Sequence, residues 1–172
     1  IVGNKKALVL VVLAGLFSVS AVAAEKLAVF SFERAIFGSD AAQAIAKEAT
    51  QGADFVSLKA KYEGSVSDFQ SLAKELESNR LTWSQEQSAA HQKKMGYAKA
   101  DAELAARKMQ EEEKQLKQKI MQQLAPVAQK VLQEVIKEEG ITLLLNEESV
   151  VYSAPESSLT AKVADRMNQQ TK

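Results

Sequence analysis

Apolar positions recur every seven residues through the middle of the chain: Phe55, Tyr62, Phe69, Leu76 and Trp83. Three residues after each of the first four come Leu58, Ser65, Leu72 and Asn79, which completes an a/d seam with polar residues in two d positions. A second stripe, at three- or four-residue steps, runs Ala98, Ala102, Ala105, Met109, then Leu116, Ile120, Leu124, Val127, Val131 and Val135. Two apolar stripes on one chain predict an antiparallel helical hairpin over residues 40–139. Centring the turn near Trp83 sets Phe69 opposite Ala98 and Tyr62 opposite Ala105, large side chains against small ones. Centring it near Gly96 would instead pair Leu76 with Leu116. The earlier turn is preferred, with its tip near 78–86, because Ser78-Asn79-Arg80 supplies turn chemistry and Ser84 to Gln87 reads as a capping box. Each leg is then ~40 to 55 residues, or ~60 to 80 Å.

The ends of the chain read differently. Leu27 to Phe32 is a short run of strand formers, and Ile141 to Leu145 is another, followed by a turn at Asn146 to Ser149 and then Val150-Val151-Tyr152. Gly38-Ser39-Asp40 is expected to turn the chain and cap a helix at Asp40, with Gln43 completing the box. Gly140 stands where a helix should stop. Leu159, Val163 and Met167 share one face of a closing helix. Residues 24–39 and 140–172 therefore form a small head, with the hairpin as a tentacle inserted between its strands. About fifty residues make a marginal core, and short strands leave open edges, so self-association through the head is expected.

Residues 1–23 have the form of a secretory leader. Lys5 and Lys6 precede the apolar run Ala7 to Val19, and Ser20-Ala21-Val22-Ala23-Ala24 follows, with cleavage expected after Ala23. The run is shorter than a bilayer span needs. Its removal takes two lysines from a chain of zero formal charge and leaves the remainder at about −2. An exported chain without cysteine draws its stability from packing alone.

Composition narrows the chemistry. The chain has no cysteine and one histidine, which excludes disulfides, thiol catalysis and multi-histidine metal sites. No phosphate-cradling glycine loop occurs, and the balanced charge gives no sign of a nucleic-acid partner. His91 is expected to be a solvated helix residue, and Glu111-Glu112-Glu113 a solvated face. No catalytic, cofactor or metal residues are assigned, and no enzyme is expected. Client contact is assigned to Leu81, Trp83, Met95 and Tyr97, with Arg80, Lys93 and Lys94 among the cations that give residues 80–110 a local balance of +3. Gly52, Gly64 and Gly96 are expected to weaken the helical legs and let them flex, and Pro126 to bend the return leg.

The sequence resembles the Skp family, also called OmpH-like, of periplasmic chaperones. The residues that carry the resemblance are the leader followed by Glu25-Lys26-Leu27-Ala28-Val29, the segment Glu139 to Asn146, and Val150-Val151-Tyr152 with Leu159 to Asn168. It implies a homotrimer with a β-barrel-like head, held by Leu27, Val29, Ile141, Leu143, Leu145 and Val150. Three helical tentacles would then enclose a cavity. It further implies an ATP-independent holdase for unfolded outer-membrane β-barrel proteins, and a weak affinity for lipopolysaccharide or an anionic membrane surface. From another class comes a structural coiled-coil adaptor of an envelope complex, which would share the heptads and the leader.

Overall fold

The computed structural model describes residues 25–170, so the leader read over 1–23 lies outside the described residues. In chain order the elements are β1 (Leu27–Phe30), α1 (Phe32–Phe37), α2 (Asp40–Gln51), α3 (Ala53–Asn79), α4 (Gln85–Glu139), β2 (Leu143–Asn146) and α5 (Thr160–Gln170). Single 3-10 turns at Glu147–Ser149 and Pro155–Ser157 connect the last two. The fold is thus mainly helical with a small sheet.

The first strand is shorter than its composition suggests. Ser31 stops it by capping α1: its hydroxyl accepts from the Arg34 amide at 3.4 Å, and its own amide donates to Thr160 Oγ1 at 3.0 Å. Phe32 consequently opens a helix instead of ending a strand. A similar substitution of roles occurs at the next cap. Ser39, not Asp40, caps α2, accepting from the Ala42 amide and donating to the Ile36 carbonyl at 2.6 Å. Ser39 is wholly buried, and those two bonds are what make a buried hydroxyl tolerable. The Asp40 amide turns instead to Asn168 Oδ1.

Gly52 divides the outgoing leg. With φ −61° and ψ 145° it leaves the helical region, closes α2 through a bond to the Ala49 carbonyl, and opens α3. It is a junction between two helices, not a weak point inside one. The chain reverses between Asn79 and Gln85, and Gly96 falls inside α4. The Asn79 carbonyl accepts from the Thr82 and Trp83 amides, while the Asn79 side chain donates to the Glu75 carbonyl. Ser84 and Gln87 form both halves of a capping box, at 3.2 and 2.9 Å. From there α4 continues for 55 residues, about 80 Å, and stays helical through Pro126. Gly140 ends it with φ 63°, a left-handed conformation that glycine adopts without penalty.

β1 and β2 are parallel, Leu27 beside Leu143 and Phe30 beside Asn146, so the whole hairpin is the crossover between two adjacent strands. On the other side of β1 the Leu159 amide donates to the Val29 carbonyl. The outer edge of β2 has no neighbour among the described residues. Val150 to Tyr152 forms no strand, and Val151 and Tyr152 stand in solvent.

The core beneath this sheet takes in more of the return leg than a boundary at residue 139 allows. Ile120, Leu124, Ala128, Val131 and Val135 of α4 are buried with Ile36 of α1, Ala42 of α2, and Leu159, Val163 and Met167 of α5. Ala35 and Ala128 have no exposed surface, and their small side chains let these helices approach closely. The last third of α4, from Ile120 onward, is therefore the floor of the head. A fifty-residue head could not close its own core, and it borrows this helix to do so.

Candidate functional site

Beyond the head, α3 and α4 run as a pair with nothing else packed on them among the described residues. Every a/d position from Phe55 to Trp83 is half-buried except Tyr62, which is on the margin of exposure, and no residue of α3 is fully buried. Across the seam, Ala98 and Ala102 are half-buried and Ala105 is buried. The geometry is that of a two-helix coiled coil, with a narrow seam and wide solvated flanks.

The surface residues assigned to client contact divide in two. Leu81 at the apex is 97% exposed, and Tyr97 on α4 is 64% exposed. Arg80, Lys93 and Lys94 are likewise exposed, whereas Met95 is half-buried. Trp83 differs: it is half-buried, with its ring centroid 4.5 Å from that of His91. Its apolar area therefore fills the tip as well as facing outward.

His91 itself overturns the expectation of a solvated side chain. It is only 6% exposed, with Nε2 2.7 Å from the Leu72 carbonyl oxygen and Nδ1 3.8 Å from a Glu75 carboxylate oxygen. The signal was available: 91, 95, 98, 102 and 105 continue the α4 stripe at three- and four-residue steps. Its polar sequence neighbours Gln92, Lys93 and Lys94 hid it, because they lie on other faces of the helix. The Glu111 to Glu113 run is exposed, with Gln115 donating to Glu111. Among the described residues, no group of acidic and histidine side chains could hold a metal ion.

At the head, the residues assigned to subunit contact fall at three depths. Leu27 and Leu143 are half exposed and Leu145 nearly so, Ile141 and Val150 are half-buried, and Val29 is buried within its own chain. An open groove of about 380 Å³ adjoins this edge, lined by Phe30, Phe32, Met121, Leu144 and Leu145 among others. Polar side chains brace the same region. The Glu147 carboxylate accepts from Arg34 and Thr160, both at 2.8 Å, and Glu148 accepts weakly from Ser31. Glu139 joins the segment ahead of β1 to α5. Lys162 of α5 and Lys26 ahead of β1 both donate to its carboxylate, and in that order they hold it below the usual carboxyl range.

A long two-helix arm rising from a small, edge-exposed α/β head defines a tentacled scaffold. The family model for outer membrane protein (OmpH-like) matches residues 26–167, and the chain belongs to that family. Five chains of solved structures also match. One of them, from Caulobacter crescentus and provisionally named an outer membrane chaperone (OmpH-like), is 21% identical, covers 85% of each chain and has a TM-score of 0.48. None of the curated proteins matches. Among the described residues, no helix is long and apolar enough to cross a membrane.

Proposed function

We propose that this chain is an ATP-independent periplasmic holdase, which keeps unfolded outer-membrane β-barrel proteins from aggregating before they insert. The observation that carries the reading is the α3–α4 arm: about 40 Å of paired helix, from the 27 residues of α3, with a seam only one side chain deep. Such an arm buries little for itself and offers long flanks to a partner. Exposed Leu81 and Tyr97 give it scattered apolar contacts, and Arg80, Lys93 and Lys94 give it cations. Amphipathic barrel strands, which aggregate in water, suit many weak contacts of this kind. The same cations would give any affinity for lipopolysaccharide or an anionic membrane.

The cage is a homotrimer on this reading. The bare edge of β2 leaves unpaired backbone groups beside apolar side chains, a surface that a neighbouring head would cover. Leu27, Leu143 and Leu145, with the exposed Val151-Tyr152 segment, supply the apolar surface that neighbouring heads would cover. Residues 1–23 are the cleaved leader that delivers the chain to its compartment. The test is to dilute a urea-denatured β-barrel membrane protein into buffer with and without the assembled protein and to follow light scattering. Suppression at one trimer per client, without nucleotide, supports the reading. Scattering that rises equally fast in both rejects it. Selective binding of one folded coiled-coil partner, with no effect on unfolded barrels, would mark a structural adaptor instead.

A further inference from the structure

His91 is the chain's one histidine and Trp83 its one tryptophan, and the fold sets the two rings against each other at the tip. The protonation of the neutral imidazole follows from its partners. A carbonyl oxygen can only accept, so the Nε2 lying 2.7 Å from the Leu72 oxygen carries the hydrogen. Nδ1 is then the bare nitrogen, and it points toward Glu75 Oε2 at 3.8 Å. A proton added there would face the Glu75 carboxylate and put a positive charge on the ring that rests against the Trp83 indole.

We propose that His91 is a pH-responsive latch that positions the tentacle tip. Neutral, it ties α4 to α3 by one hydrogen bond to a backbone carbonyl. Protonated, it keeps that bond and adds an ion pair to Glu75 and a cation–π contact with Trp83, so that acidification draws the two legs closer. The charges around it come from each packed element. Glu75 is supplied by α3, the turn contributes Trp83 and carries the exposed Arg80, and α4 contributes Lys94. That lysine borders the same surface groove as Glu75, together with Asp68 and Asp101.

Because each ring is unique in the sequence, the assembled full-length protein reports on the pair directly. Trp83 emission is measured from pH 8 to pH 5, since an imidazolium quenches a touching indole more strongly than an imidazole. The expected result is a loss of emission on the acid side in the wild type. That loss should be absent in His91→Gln, which can still donate to the Leu72 carbonyl but cannot titrate, and blunted in Glu75→Gln. At pH 7.5, hydrogen exchange of tip amides in His91→Ala should be about five- to tenfold faster than in the wild type, the loss of one buried hydrogen bond, with His91→Gln close to wild type. Equal emission profiles in wild type and His91→Gln would overturn the proposal, as would unchanged exchange in His91→Ala. Neither readout involves a client, so the latch and the holdase reading can fail separately.

Discussion

Glycine-to-alanine exchange should change sign along this chain, and the structure says where. Gly64 lies inside α3 and Gly96 inside α4, both exposed, with no atom within 4 Å of a new Cβ. Alanine at either site therefore adds no clash and removes only the conformational freedom that glycine keeps in the unfolded chain. The gain is about 0.8–1 kcal/mol at each position. The two sites sit on opposite legs and share no partner, so their effects should add to about 2 kcal/mol in the double variant. Gly140 also has open space around it, but its φ of 63° is left-handed. Alanine there should cost about 1–2 kcal/mol for the backbone alone. Amide exchange across α3 and α4 is the suitable assay, because it reads local opening without assuming a two-state oligomer. The Gly64→Ala, Gly96→Ala variant should slow exchange in the mid-tentacle by about tenfold or more, while Gly140→Ala speeds exchange at the end of α4. If tentacle flexing lets one cage hold clients of different girth, the stiffened variant should hold a narrower range of sizes. Faster or unchanged exchange in the double variant would show that these glycines do not set the stiffness of the legs, and the reasoning would be refuted.

Three further outcomes follow from the head. Met167→Ala, at a site with no exposed surface, should destabilise by about 2–5 kcal/mol in urea unfolding at fixed protein concentration, whereas Tyr152→Ala in the free chain should change little. Replacing Leu143 and Leu145 together by Glu should leave the helical content intact and lower the mass seen in sedimentation, because both side chains lie on the edge proposed to meet another head. Glu139→Gln should lower the melting temperature at neutral pH. The native carboxyl titrates below its ordinary value of 4.5, so its contribution is present above that value and lost as pH falls through the lower native one. Wild type and variant should therefore converge below about pH 4.5, and a constant difference down to pH 3 would count against the Lys162–Glu139–Lys26 link.

The hairpin was the most legible part of the sequence. A period of seven sustained from Phe55 to Trp83 leaves little freedom, because each side chain on the seam needs a partner at the same height. Ser84 with Gln87, and Gly140, are local devices whose chemistry acts within four residues. What sequence reasoning missed depends on contacts across the chain. Phe32 has the composition of a strand residue, yet Thr160, more than a hundred positions away, accepts the Ser31 amide and fixes the serine as a cap. Ser39 displaces Asp40 as a cap because the site is buried, where a hydroxyl with two partners is tolerable and a carboxylate is not. The extension of the head into Ile120 to Val135 was hidden because a helix stripe looks the same whether it faces one helix or a whole core. His91 was hidden for the opposite reason, as a polar side chain occupying an apolar register. The parallel pairing of β1 with β2 has no local signature at all.

That pairing has a consequence for how the molecule comes into being. Leu27 can meet Leu143 only after the 115 intervening residues have been made, and the core that holds Phe30 is completed by Met167 later still. Closing so long a span costs entropy that local helix pairing does not, so the arm can zip from its own turn while the first strand waits. The proposed binding surface is thus complete before the base proposed to gather several copies, and a truncated product, lacking the last strand and helix, has no finished edge with which to enter such an assembly.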